Sequence, residues 1–462
     1  MAGLDLLAAT HGISSPASRI TWLESGPFRV TLGVLTDLPA LVMGTLAAGC
    51  GWLTMRFAVD YLHREEGFHR FFLVLSLFVG GMMWVALADN AVLTFVGWEA
   101  AGIASYLLIG YAYDRHTATC NATRAVLTNR FGDAGFLFGI AMTFLFLDTL
   151  EWPKIFTSVT TLDSLLAGVM VGGFLVAALA KSAQLPFAGW IARALEGPTP
   201  SSAVFYGALM AHAGAFLVIR LEPLLWRAPF WLAVLMPVGL LTAVYATVAG
   251  RTQGDVKSAL IFSTQAQLGL IFFECGAGLF EVALWHLTGH TIWRLYQFLL
   301  SPSYLHLSGR PVRPIPGWLA ESHTFYRLAL HRFHLDALLD ALITHPTRAL
   351  AQEVRLLDVR VFSRVTGRPL NEAPLPARVR KKEPVVTPGD AVTRGRGMLG
   401  HILQDSARGL AWFEEHLILR SSGEGLLDAL TFLGGYVSRI EEFLGLPRYL
   451  FLLLALTFVV IL

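Results

Sequence analysis

The chain has 462 residues, of which 55% are hydrophobic and only 15% are charged, and its formal net charge is +2. Long apolar runs at this density exclude a soluble globular protein and predict a polytopic helical membrane protein. The arginines flank the apolar runs and form no basic patch, so nothing in the charge pattern indicates nucleic-acid binding.

The N-terminal part, residues 1–33, mixes polar and apolar residues and contains no apolar run long enough to span a membrane. We interpret it as an interfacial segment. It lacks the basic stretch and long apolar core of a secretory signal, so no cleaved leader is expected. Nine apolar runs follow in the predicted core, 34–301, each of about 20 residues, the length that crosses a hydrocarbon layer about 30 Å thick. They lie near 34–56, 71–88, 91–111, 130–149, 163–185, 198–221, 228–249, 254–276 and 279–300.

The sequence changes character in 302–447, where charged residues recur every few positions. Two amphipathic stretches, 325–363 and 398–443, flank an irregular linker at 365–395. The last run, 448–462, predicts a short tenth span that anchors the chain. The predicted fold class is therefore all-α, with about ten transmembrane helices including a broken one, and with cytoplasmic or lateral amphipathic helices.

The basic residues of the loops predict the orientation in the membrane. One set of alternate loops contains only Lys154, Arg220 and Arg227, whereas the other contains nine basic residues. Because basic loops stay in the cytoplasm, the richer side and the segment 302–447 are predicted to be cytoplasmic. The nine residues are Arg56, Arg64, Arg70, Arg115, Arg124, Arg130, Arg193, Arg251 and Lys257.

Two carboxylates lie within the predicted spans. Glu99 is central in FVGWEAAGIASYLLIGY, among small residues that permit close helix contact. A carboxylate at that depth is costly, which favours a functional role for Glu99 over a structural one. Asp133 lies next to Arg130 near the start of its predicted span, where a carboxylate also gains from the helix dipole. A structural and a functional interpretation of Asp133 therefore both stay open.

A lysine accompanies the predicted helix break. The stretch 178–217 begins as an apolar helix, breaks at Pro186 and resumes after GPTP, with Lys181 close to the break. Broken backbone at membrane depth is tolerated where it is buried in protein or lines water. A lone lysine there favours charge movement, and the alternative is a lysine whose side chain extends to the interface.

The last spans carry further polar residues. Lys257 is close to a helix end, so it either takes part in charge movement or extends to the interface. His286, His290 and Arg294 are spaced by four residues and line one stripe of a helix. Because histidine titrates near neutral pH, a proton relay is favoured over structurally buried histidines. No third ligand accompanies the histidine pair, so no metal is predicted, and the lack of a cysteine cluster or a GxGxxG loop predicts no redox cofactor.

Five motifs carry a family resemblance: FVGWEAAGIASYLLIGY, NRFGDAGF, AKSAQLPFAGWIARALEGPTPSSA, DVKSALIFSTQAQLG and HLTGH. Over residues 34–300 the chain resembles the proton-pumping antiporter-like subunits of respiratory complex I. Its nearest match there is chain 5, the bacterial L subunit, and the Mrp antiporter A subunit is a relative. The resemblance implies a proton pathway in which Glu99 and Lys181 form a coupled pair. It places Asp133 at a motif position, and Lys257, His286 and His290 on a central hydrophilic axis.

The chain departs from the family pattern in three ways. Arg294 stands where the family has a lysine, and arginine does not release its proton. Tyr206 replaces an expected histidine, while His212 lies further along the same helix. The stretch FYRLALHRFHLDALLDALITHPTRALAQEVRLLDVRV resembles the family's end region, and about four spans of the family core are absent between the ninth span and this stretch. The pair of half-channels that the family possesses is therefore expected to be incomplete.

Three functions stay open. The shortened form resembles the DabB-type subunit of DAB inorganic-carbon accumulators, which has a zinc-containing, carbonic-anhydrase-like cytoplasmic partner. On the shortening alone, we narrowly prefer a proton-conducting subunit that drives such carbon uptake. The alternatives are a proton-pumping subunit of a complex related to NADH-quinone oxidoreductase, and a structural scaffold whose channel has decayed. Other subunits of a membrane complex, including a second antiporter-like chain, are expected partners, together with the lipid bilayer.

Overall fold

The structure is a computed structural model and describes residues 20–26, 28–304, 315–366 and 398–413. Eight helices in these ranges are long and apolar enough to cross a membrane. They are α1 (Leu38–Leu62), α2 (Phe68–Leu87), α3 (Ala91–Ile109), α4 (His116–Leu147), α5 (Ser164–Lys181), α6 (Thr199–Arg220), α7 (Pro229–Gly250) and α8 (Val256–Gly276). A further helix of 25 residues, α9, covers Phe280–Tyr304 and carries two charged residues, Glu281 and Arg294, and two histidines.

These helices confirm the predicted all-α membrane fold. The predicted number of ten spans is not confirmed, since the predicted anchor 448–462 lies outside the described residues. Of the predicted linker 365–395, only the first two positions are described, as the end of the helix His345–Thr366. Short helices also occupy Trp152–Ser158, Glu222–Arg227, Gly317–Ala320 and His323–Leu330. Met398–Phe413, a single helix, belongs to a separate compact unit of the chain.

Polar side chains fix where four of the long helices begin. Asp37, Asn90, Asp163 and Asp255 immediately precede α1, α3, α5 and α8, and each accepts a hydrogen bond from a backbone N–H of the first turn. The first turn of a helix leaves its N–H groups without intrahelical partners, and such caps satisfy one of them. The polar residues between the apolar runs therefore act as start signals.

The N-terminal segment forms a β-hairpin, which the all-α prediction missed. Strand β1 (Ile20–Ser25) pairs antiparallel with β2 (Phe28–Leu32), and Gly26 in the turn has a φ of 58°. Val30 packs against Ala88 and Leu93, which joins the hairpin to the start of α3. The hairpin forms because β-branched and aromatic residues flank a glycine that tolerates positive φ. Residues 1–19 of the predicted interfacial segment lie outside the described residues.

The predicted break in the helix is present but begins before Pro186. Helix α5 ends at Lys181, and an irregular segment with one 3₁₀ turn, Ile191–Arg193, leads to α6. Helix α6 is completely buried and is interrupted by a π-helical stretch, Ala203–Ala208. The broken segment and the irregular helix thus lie inside the protein, where other parts of the chain satisfy the freed backbone groups.

Glycines bring α4 and α5 into backbone contact. A Cβ atom added to Gly173 would lie 2.6 Å from the backbone nitrogen of Gly139 and 2.7 Å from the carbonyl oxygen of Gly135. Small residues permit this approach, which supplies van der Waals contact between membrane helices where lipid gives no hydrophobic driving force. The contact sets the position of the polar side chains that the two helices carry.

A segment beyond α9 lies against the broken region. It comprises Leu335–Leu339 and the π-helical Asp340–Thr344, and is called the 335–344 segment below. Arg124 on α4 donates hydrogen bonds of 2.6 and 2.5 Å to the two carboxyl oxygens of Asp340. Arg193 donates to Asp336 at 2.6 Å. Bidentate arginine–carboxylate pairs combine charge with fixed geometry, so these contacts hold the segment in place.

Candidate functional site

Five side chains from α3, α4 and α5 form a first polar cluster, which we call the α3–α5 centre: Trp98, Glu99, Arg130, Asp133 and Lys181. Arg130 forms an ion pair with Glu99 and lies 3.6 Å from Asp133 Oδ2. The second oxygen of Glu99, Oε1, is buried and has no hydrogen-bond partner among the described residues. Glu99 therefore has one oxygen held by a cation and one that is free to accept a proton.

Lys181 is 2% exposed and lies at the end of α5. Its ammonium group donates to the carbonyl oxygen of Trp98 at 3.4 Å and lies 4.8 Å from the centroid of the Trp98 ring. Within the described ranges, Lys181 forms no ion pair. The structure therefore brings Glu99 and Lys181 into one centre, but each makes its direct contacts with another residue, Arg130 or Trp98.

Asp133 occupies the middle of α4 and is 7% exposed. The interpretation of Asp133 as a charge at a helix start is wrong, because α4 begins at His116, far ahead of the apolar run. Trp98 donates its indole N–H to Asp133 Oδ1 at 2.9 Å. Trp98 thus contacts both Asp133 and Lys181, a role that sequence reasoning missed. The available signal was a tryptophan next to a mid-span glutamate, since a buried indole N–H needs an acceptor.

A second polar cluster, the α9 centre, comprises His212, His286, His290 and Arg294. Its core is a chain of contacts between α6 and α9. Arg294 Nε lies 3.4 Å from His290 Nε2, and His290 Nδ1 lies 2.8 Å from His212 Nε2. Arginine can only donate, so His290 Nε2 accepts and Nδ1 carries the proton of the neutral ring. By the same logic, His212 accepts at Nε2 and carries its proton on the buried Nδ1.

His286 extends the α9 centre along one stripe of the helix, as the spacing predicted. Its Nδ1 lies 2.8 Å from Glu274 Oε1 and its Nε2 lies 2.9 Å from Gln267 Oε1. Both ring nitrogens thus face oxygen atoms, an arrangement that a protonated imidazole satisfies completely. A cleft of about 410 Å³ is lined by His286, His290 and Arg294. No group of three or more His, Cys, Asp or Glu side chains suited to a metal occurs in the described part of the chain.

Lys257 lies in the first turn of α8 and joins neither centre directly. Its ammonium group donates to Thr199 Oγ1 at 2.8 Å, and the hydroxyl of Tyr61 lies 3.0 Å from the same oxygen. Tyr206, which replaces an expected histidine, donates to the carbonyl oxygen of Ala194 at 2.7 Å and so holds the broken segment. His212 is the histidine of α6 that reaches His290, one helix turn or more beyond Tyr206 in the sequence.

Comparisons with known proteins agree with these features. Residues 88–312 match the family model described as NADH:quinone oxidoreductase/Mrp antiporter, TM. Residues 22–72 match the model described as NADH-Ubiquinone oxidoreductase (complex I), chain 5 N-terminus. Both matches confirm the resemblance that the motifs indicated, and they support the complex I alternative better than carbon uptake.

Similar proteins include NADH-ubiquinone oxidoreductase chain 5 of Dictyostelium discoideum, which is 38% identical over 62% of this chain and 44% of its own length. NADH-quinone oxidoreductase subunit L of Rhodobacter capsulatus is 35% identical over 62% of this chain and 43% of its own length. The chain thus spans less than half the length of these relatives. Among solved structures, an Mrp complex from Dietzia sp. DQ12-45-1b matches with a TM-score of 0.59 and 28% identity over 65% of this chain and 33% of that one.

Proposed function

We propose that the chain is a proton-conducting subunit of a multi-subunit complex in a bacterial plasma membrane. Its residues 22–72 and 88–312 belong to the antiporter-like membrane subunit family of complex I and Mrp antiporters. The observation that carries this proposal is Lys181, an almost completely buried lysine at the end of a broken helix. A buried ionisable group of this kind is costly and marks ion pathways by default.

Charge balance in the α3–α5 centre explains how a proton there can be coupled to its neighbours. With every group ionised, the carboxylates of Glu99 and Asp133 balance the cations of Arg130 and Lys181. Loss of the Lys181 proton leaves an excess negative charge out of water, which is unfavourable. A proton that arrives on the free Glu99 oxygen restores neutrality. Proton arrival and release at this centre are therefore linked, whereas Arg130 keeps its charge throughout.

The α9 centre supplies a second set of titrating groups. With these tautomers, a proton that reaches His290 Nε2 can shift along the pair, because His290 then passes its Nδ1 proton to His212 Nε2 and His212 releases its own proton from Nδ1. Arg294 next to His290 remains charged, and its positive charge disfavours protonation of the neighbouring imidazole ring to the imidazolium form. The guanidinium thus limits how long a proton resides on His290, a role that the lysine expected at this position would not perform in the same way.

The named relatives bear on what drives proton movement. Relatives named as NADH-quinone oxidoreductase subunits favour a complex related to those enzymes over inorganic-carbon uptake. The carbon-uptake hypothesis, with its zinc-containing cytoplasmic partner, rests on the shortened core alone. A second candidate, a scaffold without conduction, rests on Arg294 in place of a lysine and on the absent spans.

The test uses the tagged chain purified with its native partners in mild detergent and reconstituted into liposomes with a pH-sensitive dye. We expect Lys181→Met to reduce proton flux to the level of empty liposomes while the complex stays assembled. Lys154→Met is the matched control, because Lys154 is an exposed lysine paired with Glu151. Flux that survives Lys181→Met in an assembled complex would favour the scaffold.

The same preparation identifies the drive. Flavin and iron–sulfur absorption in the copurified subunits would support a redox-driven complex. Stoichiometric zinc in a soluble partner without those chromophores would instead favour carbon uptake. The two outcomes lead to different complexes but leave the test of Lys181 unchanged.

A further inference from the structure

The outer face of α9 is both apolar and interrupted by a polar cleft. Trp285, Ile292, Trp293 and Tyr296 lie on this surface, which we call the α9 face, and each is 55–66% exposed. Trp293 is near the middle of the 25-residue helix, away from the interfacial levels where membrane tryptophans concentrate. Gly289 lies between these aromatic residues, and a Cβ atom added there would meet nothing within 4 Å. The surface therefore has room for the close approach of another helix.

Arg294 lines the cleft, is 5% exposed and has only neutral partners among the described residues. Its guanidinium donates to Gln297 Oε1 and Ser263 Oγ, both at 2.8 Å, and Nε approaches His290. Glu274 contacts His286, which is eight residues or about 12 Å away along α9. An arginine in the bilayer interior normally pairs with an anion or faces water, because hydrocarbon does not solvate its charge.

We propose that the α9 face binds a transmembrane helix of a different subunit, and that this helix carries an aspartate or glutamate opposite Arg294. The proposal rests on the proposed function for its membrane setting and adds the chemistry of the partner. A carboxylate would complete the charge balance of the α9 centre, as Glu99 and Asp133 do for the α3–α5 centre. The exposed aromatic residues would supply the apolar contact around that ion pair.

Two other possible occupants of the α9 face complement the positive charge of Arg294 less well. The apolar run 449–462, LFLLLALTFVVIL after Tyr449, contains no acidic residue and cannot neutralise Arg294. A second copy of this chain on the same face would place like surfaces together around a two-fold axis and bring one Arg294 towards the other. Charge complementarity therefore favours a distinct partner with a buried acid.

The experiment places the photo-crosslinking residue p-benzoylphenylalanine at position 293 of the full-length chain in its native membrane complex. Trp52, exposed on α1, is the matched control position. We expect position 293 to give one discrete adduct, and mass spectrometry to place it in a membrane-spanning segment of another subunit that contains Asp or Glu. Position 52 should not yield that adduct. Crosslinks to lipid only, to residues 449–462, to a second copy, or to a helix without an acid would overturn the proposal.

Charge reversal then tests the ion pair itself. Arg294→Glu should lower the yield of the position-293 adduct about tenfold, and a reciprocal Asp or Glu to Arg change in the partner should restore it. Arg294→Lys retains the charge and should retain most of the adduct. An unchanged yield with Arg294→Glu would overturn the carboxylate assignment. Crosslinking needs no proton flux, so this result stands apart from the outcome with Lys181→Met.

Discussion

The two polar centres differ in the groups that balance their buried charges. The α3–α5 centre contains two carboxylates and two cations, all supplied by this chain. The α9 centre contains a permanent cation, Arg294, whose described partners are neutral. The charges of the first centre are thus balanced within this chain, whereas the carboxylate that would balance Arg294 is the one that we propose on a partner helix. The difference supports the proposal that this chain is one subunit of a larger membrane complex.

The two centres also differ in how far other parts of the chain cover them. The 335–344 segment covers the side of the first centre, where Leu339 and Ile343 pack with Ala180 and Phe187. Ala180 directly precedes Lys181, so the segment lies next to the lysine that carries the proposed function. In the described part of the chain, no comparable segment covers the α9 face, and its tryptophans are exposed. One centre is covered on one side by a segment that ion pairs of the same chain hold in place, and the other is open at its side.

The largest expected effect comes from the close helix contact that builds the first centre. Gly173→Ala would place a methyl group against the backbone of α4, which cannot yield as a side chain does. We expect a loss of about 1–3 kcal/mol or more in stability, together with loss of proton flux. Gly168→Ala on the same helix is the control, since its nearest neighbour would be a Trp231 atom at 3.8 Å. Thermal unfolding in detergent measures both variants, and equal stability would contradict the account.

An intermediate effect is expected from Trp98→Phe, which keeps a ring beside Lys181 but removes the N–H that Asp133 accepts. Loss of a hydrogen bond to a buried carboxylate costs about 1–3 kcal/mol. Proton flux should therefore fall severalfold while the complex remains assembled. Trp84→Phe, on a half-exposed surface of α2, should leave flux unchanged. If the two variants behave alike, Trp98 has no special part in the first centre.

The smallest expected effect concerns the 335–344 segment, which covers one side of the α3–α5 centre. Burial favours the neutral form of the Asp340 carboxyl, but the hydrogen bonds and charge of Arg124 outweigh it and lower the pKa of Asp340. The ionised form therefore stabilises docking above about pH 5, and this contribution disappears as the pH falls through the lowered pKa. Asp340→Asn should loosen the 335–344 segment at neutral pH by about 1 kcal/mol, since charged hydrogen bonds of this kind contribute little more when partly exposed.

Hydrogen exchange of the 335–344 amides measures this loosening. Asp60→Asn is the control, because the Arg56–Asp60 pair is exposed on both sides and 3.9 Å apart. Exchange in the segment should rise with Asp340→Asn and stay unchanged with Asp60→Asn. A segment that exchanges equally in all three proteins would mean that Arg124 does not hold it.

Much of the fold was predictable because apolar runs separated by polar caps define membrane helices in the sequence itself. The start of α4 was misplaced because its first turns, near His116, are polar and contain the arginines of a predicted loop. The hairpin at Ile20–Leu32 was missed because short strands give a weak pattern beside long apolar helices. The π-helical stretch of α6 depends on how neighbouring helices pack, which no local pattern records.

The site was predictable in its residues more than in its contacts. Mid-span Glu99 and Lys181 and the stripe of His286, His290 and Arg294 stand out because charge is rare at membrane depth. The pairing of Glu99 with Arg130 depends on the relative rotation of two helices, which sequence spacing does not give. His212 was noted as a histidine displaced along its helix, but its contact with His290 required the structure.

The most direct test of the account is proton flux in the reconstituted complex with Lys181→Met, His290→Phe and the double variant. If both centres lie on one path, each single variant should reduce flux to background, and the double variant should be no lower. His116→Phe, at the start of α4, provides a histidine control outside both centres. Wild-type flux with His290→Phe, in a complex that still loses flux with Lys181→Met, would contradict a shared path through the two centres.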